Sequence, residues 1–229
     1  MAKMKAIVIR LRGVESSEQL AQECIISGKE KGLIIYPFDG IYGEEQIAIK
    51  HKEFDVRPWK EKMKKNRLGV KGCFLSHYSI WLHAIEIDQP IAVFEHDAVI
   101  LRKIPGDIAD KFDEFLMLDP YNKMQKDYGS LHQIEHEFSV EEYFNENSQQ
   151  KYELKYQYAM GLQAYIIKPK AAIKLRDEIK QKGYYPADMQ CHKGILNIQT
   201  MFPSIASINP RFYGNKKLMK EESTTQKQW

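Results

Sequence analysis

Apolar residues fall in short, bounded runs along the chain, and their spacing switches between two periods. Lys5–Leu11 (KAIVIRL) is a β-branched run, the pattern of a strand buried on both faces of a layered α/β domain. Over Ser16–Ile26 the apolar positions spread to helical spacing, with Leu20, Cys24 and Ile25 as the stripe, Ser16 or Ser17 as the cap and Gly28 as the stop. Leu33–Phe38 (LIIYPF) reads as a second strand running into the turn dipeptide Asp39-Gly40. A β-α-β opening of this kind predicts a parallel pair with a right-handed crossover.

Farther along, Ile80, Trp81, Ala84 and Ile85 recur at helical spacing within Ser76–Ile87, and Pro90 follows as a stop. Ile91–Phe94 is then a third buried strand that delivers Glu95, His96 and Asp97 at its carboxyl end, where open parallel sheets place ligands. Phe115–Leu118 is a fourth strand, closed by Asp119-Pro120. Leu131–Lys155 is rich in Glu, Gln and Asn and reads as an inserted excursion, either a lid over a site or a surface loop. Gly161–Lys168 is a strand, and Pro169 opens a helix that reaches Ile179. These elements predict one α/β domain over residues 1–210, with a mostly parallel central sheet flanked by helices, and a basic, polar tail over 211–229.

At 229 residues, 43% of them hydrophobic, the chain has ample material for one large core. Its net charge of +3 is too mild to imply a nucleic-acid binder by itself. No apolar run approaches the roughly 18 residues of a membrane span, and Ala6–Ile9 is too short for a signal-peptide core. The expectation is a cytoplasmic protein whose three separated cysteines, Cys24, Cys73 and Cys191, are reduced.

Four features carry candidate chemistry. Glu95, His96 and Asp97 are either plain solvated charges at a strand end or metal-competent groups, since paired carboxylates suit a hard divalent cation that holds a diphosphate. Between Arg57 and Lys71 stand seven basic residues (Arg57, Lys60, Lys62, Lys64, Lys65, Arg67, Lys71) against one acidic residue, Glu61, with Trp59 embedded. That run either neutralises phosphates or is a solvated face. Gly69 and Gly72 precede a helix that this reading starts near Ser76, so the segment is either an anion-binding loop or a plain cap. Asp188 and His192, four apart near Pro186, would share one face of a helix, either in structural roles or with one as a general base and the other as a metal ligand or orienting group.

Taken together, residues 69–101 (GVKGCFLSHYSIWLHAIEIDQPIAVFEHDAVIL) resemble glycosyltransferase family 25, in which a G-x-x-G-C-x-x-S-H-x-x-x-W segment leads through a helix to an apolar strand and an E-D-D motif. Gly72, Cys73, Ser76, His77, Trp81, Glu95, Asp97 and Ala98 fall in register. The opening strand, Phe38-Asp39-Gly40, Gly161–Leu175 and Pro186–Asp188 agree in order, so the resemblance runs from about Met4 to Thr200. It implies a GT-A-like domain that moves a sugar, often from a UDP donor, to a saccharide acceptor such as lipooligosaccharide core. It places Arg10, Leu11 and Asp39 near the nucleoside, with Arg67, Gly72, Ser76 and His77 also in the donor site. Glu95, His96, Asp97 and His192 would hold Mn²⁺ or Mg²⁺, and Asp188 would be the catalytic base of an inverting transfer. Two positions depart: His96 occupies the middle of the acidic triplet, and Val70 stands where the family usually has Glu. Imidazole suits Mn²⁺ better than Mg²⁺.

Other readings are open from the sequence. The basic run and Lys216, Lys217 and Lys220 leave room for a polyanionic acceptor such as hydroxymethylated phage DNA, for a non-catalytic nucleic-acid-binding protein, or for a nucleotide-sugar hydrolase.

Overall fold

The computed structural model describes residues 4–57, 68–119, 137–138, 159, 161–202 and 204–212. Lys5–Arg10 forms β1, Glu15–Glu30 α1 and Ile35–Asp39 β2, and β1 pairs in parallel with β2 from Ala6↔Ile35 to Arg10↔Asp39. Glu44–Phe54 is α2, Leu68–Ile87 α3 and Ile91–Glu95 β3. β3 takes the other side of β1, again in parallel. After a two-residue turn at His96 and Asp97 come Ala98–Ile100 (β4), Ile108–Lys111 (α4), Phe115–Met117 (β5) and Glu137–Phe138 (β6). The remainder is Ala164–Ile167 (β7), Pro169–Lys182 (α5), Ala187–Gln190 (α6), Ile198–Phe202 (β8) and Ala206–Ile208 (β9).

The central sheet has seven strands in the order β2-β1-β3-β7-β5-β8-β6. Only β7 and β6 oppose the common direction, so the sheet is mostly parallel by strand direction, as the apolar runs predict. β4 and β9 form a separate antiparallel pair. Alternation along β1 explains why its run is apolar throughout. Ile7 and Ile9 enter one core with Phe74, Tyr78, Trp81 and Tyr165, while Ala6 and Val8 enter the other with Ala21, Cys24 and Phe94. The sheet is covered on both faces, which demands apolar residues at both parities. α3 and α5 pack together on the first side, and α1 contacts β1, β2 and β4 on the second.

Several local expectations are corrected. α1 is capped by Val14 without a side-chain bond and runs past Gly28 to Glu30. Glu15 and Glu18 in its first turn and Lys29 in its last favour it through the helix dipole. Ser17 faces inward instead and accepts the Leu11 N–H at 2.8 Å. Gly28 is required by packing, because a Cβ there would lie 2.4 Å from Ile35 Cδ1. α3 begins at Leu68, so Gly69 and Gly72 are helical, and no glycine loop feeds a helix starting at Ser76. α6 ends at Gln190 and Cys191 is extended, so Asp188 and His192 share no helix face. Among the described residues no helix is long and apolar enough to cross a membrane.

Candidate functional site

The parallel strands bring their carboxyl ends to one edge of the sheet, and the polar residues that follow the apolar runs collect there. β1 and β2 end at Arg10 and Asp39. Arg10 Nε donates to Asp39 Oδ1 at 2.8 Å, and Arg12 Nη1 lies 3.6 Å from Oδ2. Asp39 stays 43% exposed, so this fork is accessible to a ligand and contributes no more than about 1 kcal/mol to stability. Leu11 is buried beside it.

β3 ends at Glu95, whose Oε1 lies 3.3 Å from His77 Nε2 and 3.9 Å from Cys73 Sγ. Cys73 and His77 are four apart on α3, hence on one face. Behind them, His77 Nδ1 is 2.8 Å from the Tyr165 hydroxyl, which also receives the Trp81 indole N–H at 2.9 Å. Burial alone would raise the Glu95 carboxyl, but the hydrogen bonds it receives from His77 and Cys73, with the nearby His96 adding to them, outweigh it and hold Glu95 below its ordinary value.

Its acidic neighbours are displaced the other way. Burial, with the charges of Glu95 and Asp119 added, pushes Asp97 up to about 7. Burial likewise raises Asp119 to about 7, against a hydrogen bond from the Ile208 N–H. The next backbone N–H, that of Asn209, donates to the Asp97 carbonyl at 2.7 Å, so β9 ties the two acids together. Asp97 Oδ1 and Asp119 Oδ1 are buried without a partner among the described residues. Asp188 is raised by burial and by Glu95. Burial also drives the Cys73 thiol well up, with Glu95, Asp188 and Asp97 adding to it. One carboxylate held ionised among others that bind protons near neutrality is the separation acid–base chemistry requires.

The residues singled out from sequence fall into three groups. Asp188, Glu95 and Asp97 share one electrostatic neighbourhood. Other residues are turned elsewhere. Ser76 lies inside α3, 2% exposed, receiving the Ile41 N–H and donating to the Gly72 carbonyl. Gly72 lets that loop approach, since a Cβ there would sit 2.4 Å from the Ile41 carbonyl oxygen. His77 is buried behind Glu95, His96 Nδ1 lies 3.2 Å from Ser17 Oγ on α1, and His192 Nε2 lies 3.5 Å from Glu178. Among the described residues, the set of three metal-competent groups that the fold gathers is Cys73, His77 and Glu95, with ligand atoms within 4.8 Å of one another. Arg67, Trp59, most of the basic run, Lys216, Lys217 and Lys220 lie outside the described residues, as does the 131–155 excursion apart from 137–138. Asp119 and Tyr165 escaped the sequence reading. Asp119 follows its apolar strand much as Glu95 does, but beside Pro120 it reads as a turn residue; Tyr165 sits within a strand run and reads as core.

A doubly covered, mostly parallel sheet with acidic groups of separated proton affinity at its carboxyl edge defines an α/β enzyme architecture. The chain belongs to glycosyltransferase family 25, whose model, described as an LPS biosynthesis protein family, matches residues 18–191, and it is accordingly a glycosyltransferase. No curated protein matches it.

Proposed function

We propose that this glycosyltransferase moves a sugar from a nucleoside diphosphate donor, UDP-linked, to a hydroxyl of a saccharide acceptor such as a lipooligosaccharide core, with inversion at the anomeric carbon. The observation that carries this reading is the convergence of Glu95, Asp97 and Asp188 on one edge with opposed proton affinities. Asp188, raised by burial, takes the proton from the acceptor hydroxyl, and general-base assistance of this kind is worth about 10²–10⁴-fold. The Arg10–Asp39 fork orients the nucleoside end of the donor.

The donor set fits a hard divalent cation, because the orphaned, buried Asp97 Oδ1 calls for a positive partner. Glu95 and Asp97 would hold Mn²⁺ or Mg²⁺, which when bound offsets the negative charge of the diphosphate. Asp188→Asn tests the assignment. The variant is expected to lose at least 10²-fold in transfer while binding the donor with unchanged affinity, and an active Asp188→Asn enzyme would remove Asp188 from this role.

A further inference from the structure

Cys73, His77 and Glu95 stand close enough to be read as a metal cage, but the hydrogen bonds behind them assign the group a different task. Trp81 Nε1 is a donor only, and it donates to the Tyr165 oxygen at 2.9 Å. The phenol is fully buried, and among the described residues the acceptor within reach of its own proton is His77 Nδ1 at 2.8 Å. Were Nδ1 protonated, the phenol proton would be stranded in the core, a loss of about 1–3 kcal/mol. The imidazole proton therefore sits on Nε2, aimed at Glu95 Oε1 3.3 Å away. The Cys73 thiol also reaches Oε1, at 3.9 Å. Both donors converge on one carboxylate oxygen, and Oε2 takes no bond from a described residue. A cation seated on His77 Nε2 would need the imidazole proton moved to Nδ1, against Tyr165.

We propose that Tyr165 is a positioning residue: held by Trp81, its hydroxyl fixes His77 as the Nε2–H tautomer, which pins Glu95 Oε1 and turns Oε2 toward the ligand. The chain Trp81→Tyr165→His77→Glu95 thus connects a buried aromatic core to the site edge, and the Cys73–His77–Glu95 group is a carboxylate cradle and not a metal cage. The part concerning ligand affinity rests on the cation reading above; the tautomer does not.

The test uses the full chain with ¹⁵N-labelled histidine and Mn²⁺ as the probe. Long-range ¹H–¹⁵N spectra without metal are expected to show His77 with a bare Nδ1 and a protonated Nε2. Tyr165→Phe keeps the ring stacked on Phe115, 4.8 Å between centroids, and removes only the hydroxyl. It is expected to give a mixture of tautomers and Mn²⁺ binding weakened about 10-fold, the lower end of what lost supporting bonds cost a metal site. Phe115→Leu disturbs the packing of the same ring and should leave the tautomer unchanged. A wild-type His77 protonated at Nδ1 overturns the proposal, as does a Tyr165→Phe protein with the wild-type tautomer and Mn²⁺ affinity. A wild-type protein that takes up no Mn²⁺ overturns the cation reading, and the tautomer spectra then decide the role of Tyr165 alone.

Discussion

Asp119 shows how one side chain can work against the stability of the protein that holds it. It is 4% exposed with one oxygen unpartnered, and burial carries it from 3.8 to about 7. Its unfolded carboxyl titrates near 3.9, so between about pH 4 and pH 7 the native state keeps a proton that the unfolded chain releases. Stability is full below that window and falls as pH rises through it, at about 1.4 kcal/mol per pK unit. In EDTA, Asp119→Asn is expected to melt above the wild type at pH 8 and to match it near pH 4, with Asp97 and Asp188, also raised, keeping a slope of the same sign. If the Asp119→Asn variant instead melts lower at pH 8, a partner must have been supporting the charge. The same residue marks a limit of sequence reading. Glu95, Asp97 and Asp188 are legible because polar groups after apolar strands or beside a family motif are conspicuous. Asp119 and Tyr165 acquire their roles from Ile208 and Trp81, 89 and 84 positions away, and no local spacing encodes such pairs.

At the level of the element, the joint between α3 and the loop after β2 is built on Gly72. Replacement by Ala has two opposed effects. It should gain up to about 1 kcal/mol of helix propensity. It also drives a Cβ to 2.4 Å from a backbone oxygen, that of Ile41, which no rotamer change can relieve, and overpacking of this kind costs about 1–3 kcal/mol. The clash wins, because separating α3 from the loop also loosens the Ile41 N–H bond to Ser76. Gly72→Ala should therefore lower the urea midpoint, while Gly106→Ala, with nothing within 4 Å of the added atom, should leave it in place. Strands buried on both faces and the α3 stripe could be read from sequence because period and burial coincide. The start of α3 could not, since glycines 69 and 72 resemble a loop when the close approach that Gly72 permits is out of view. β4 and β9 are three residues each and pair across more than a hundred positions, too short and too distant for a periodic signal.

Across the whole molecule, charge is divided unevenly. The chain carries a net +3, yet the carboxyl edge of its sheet gathers Glu95, Asp97, Asp119 and Asp188, and above about pH 7, where Asp97 and Asp119 ionise, an anionic diphosphate approaching that edge meets repulsion in a partly desolvated setting. On the proposed reading, a divalent cation at Glu95 and Asp97 would reverse the sign of the local field, and donor binding would then be conditional on metal. A ligand at about 100 times its dissociation constant adds roughly 2.7 kcal/mol, and at about 2–4 °C per kcal/mol for a chain of this size the melting temperature should rise by about 5–10 °C. The expected pattern is a shift with a uridine diphosphate compound plus Mn²⁺, a smaller one with Mg²⁺, and none in EDTA. An equal shift in EDTA would mean that basic groups carry the diphosphate and that the acidic edge serves the acceptor instead.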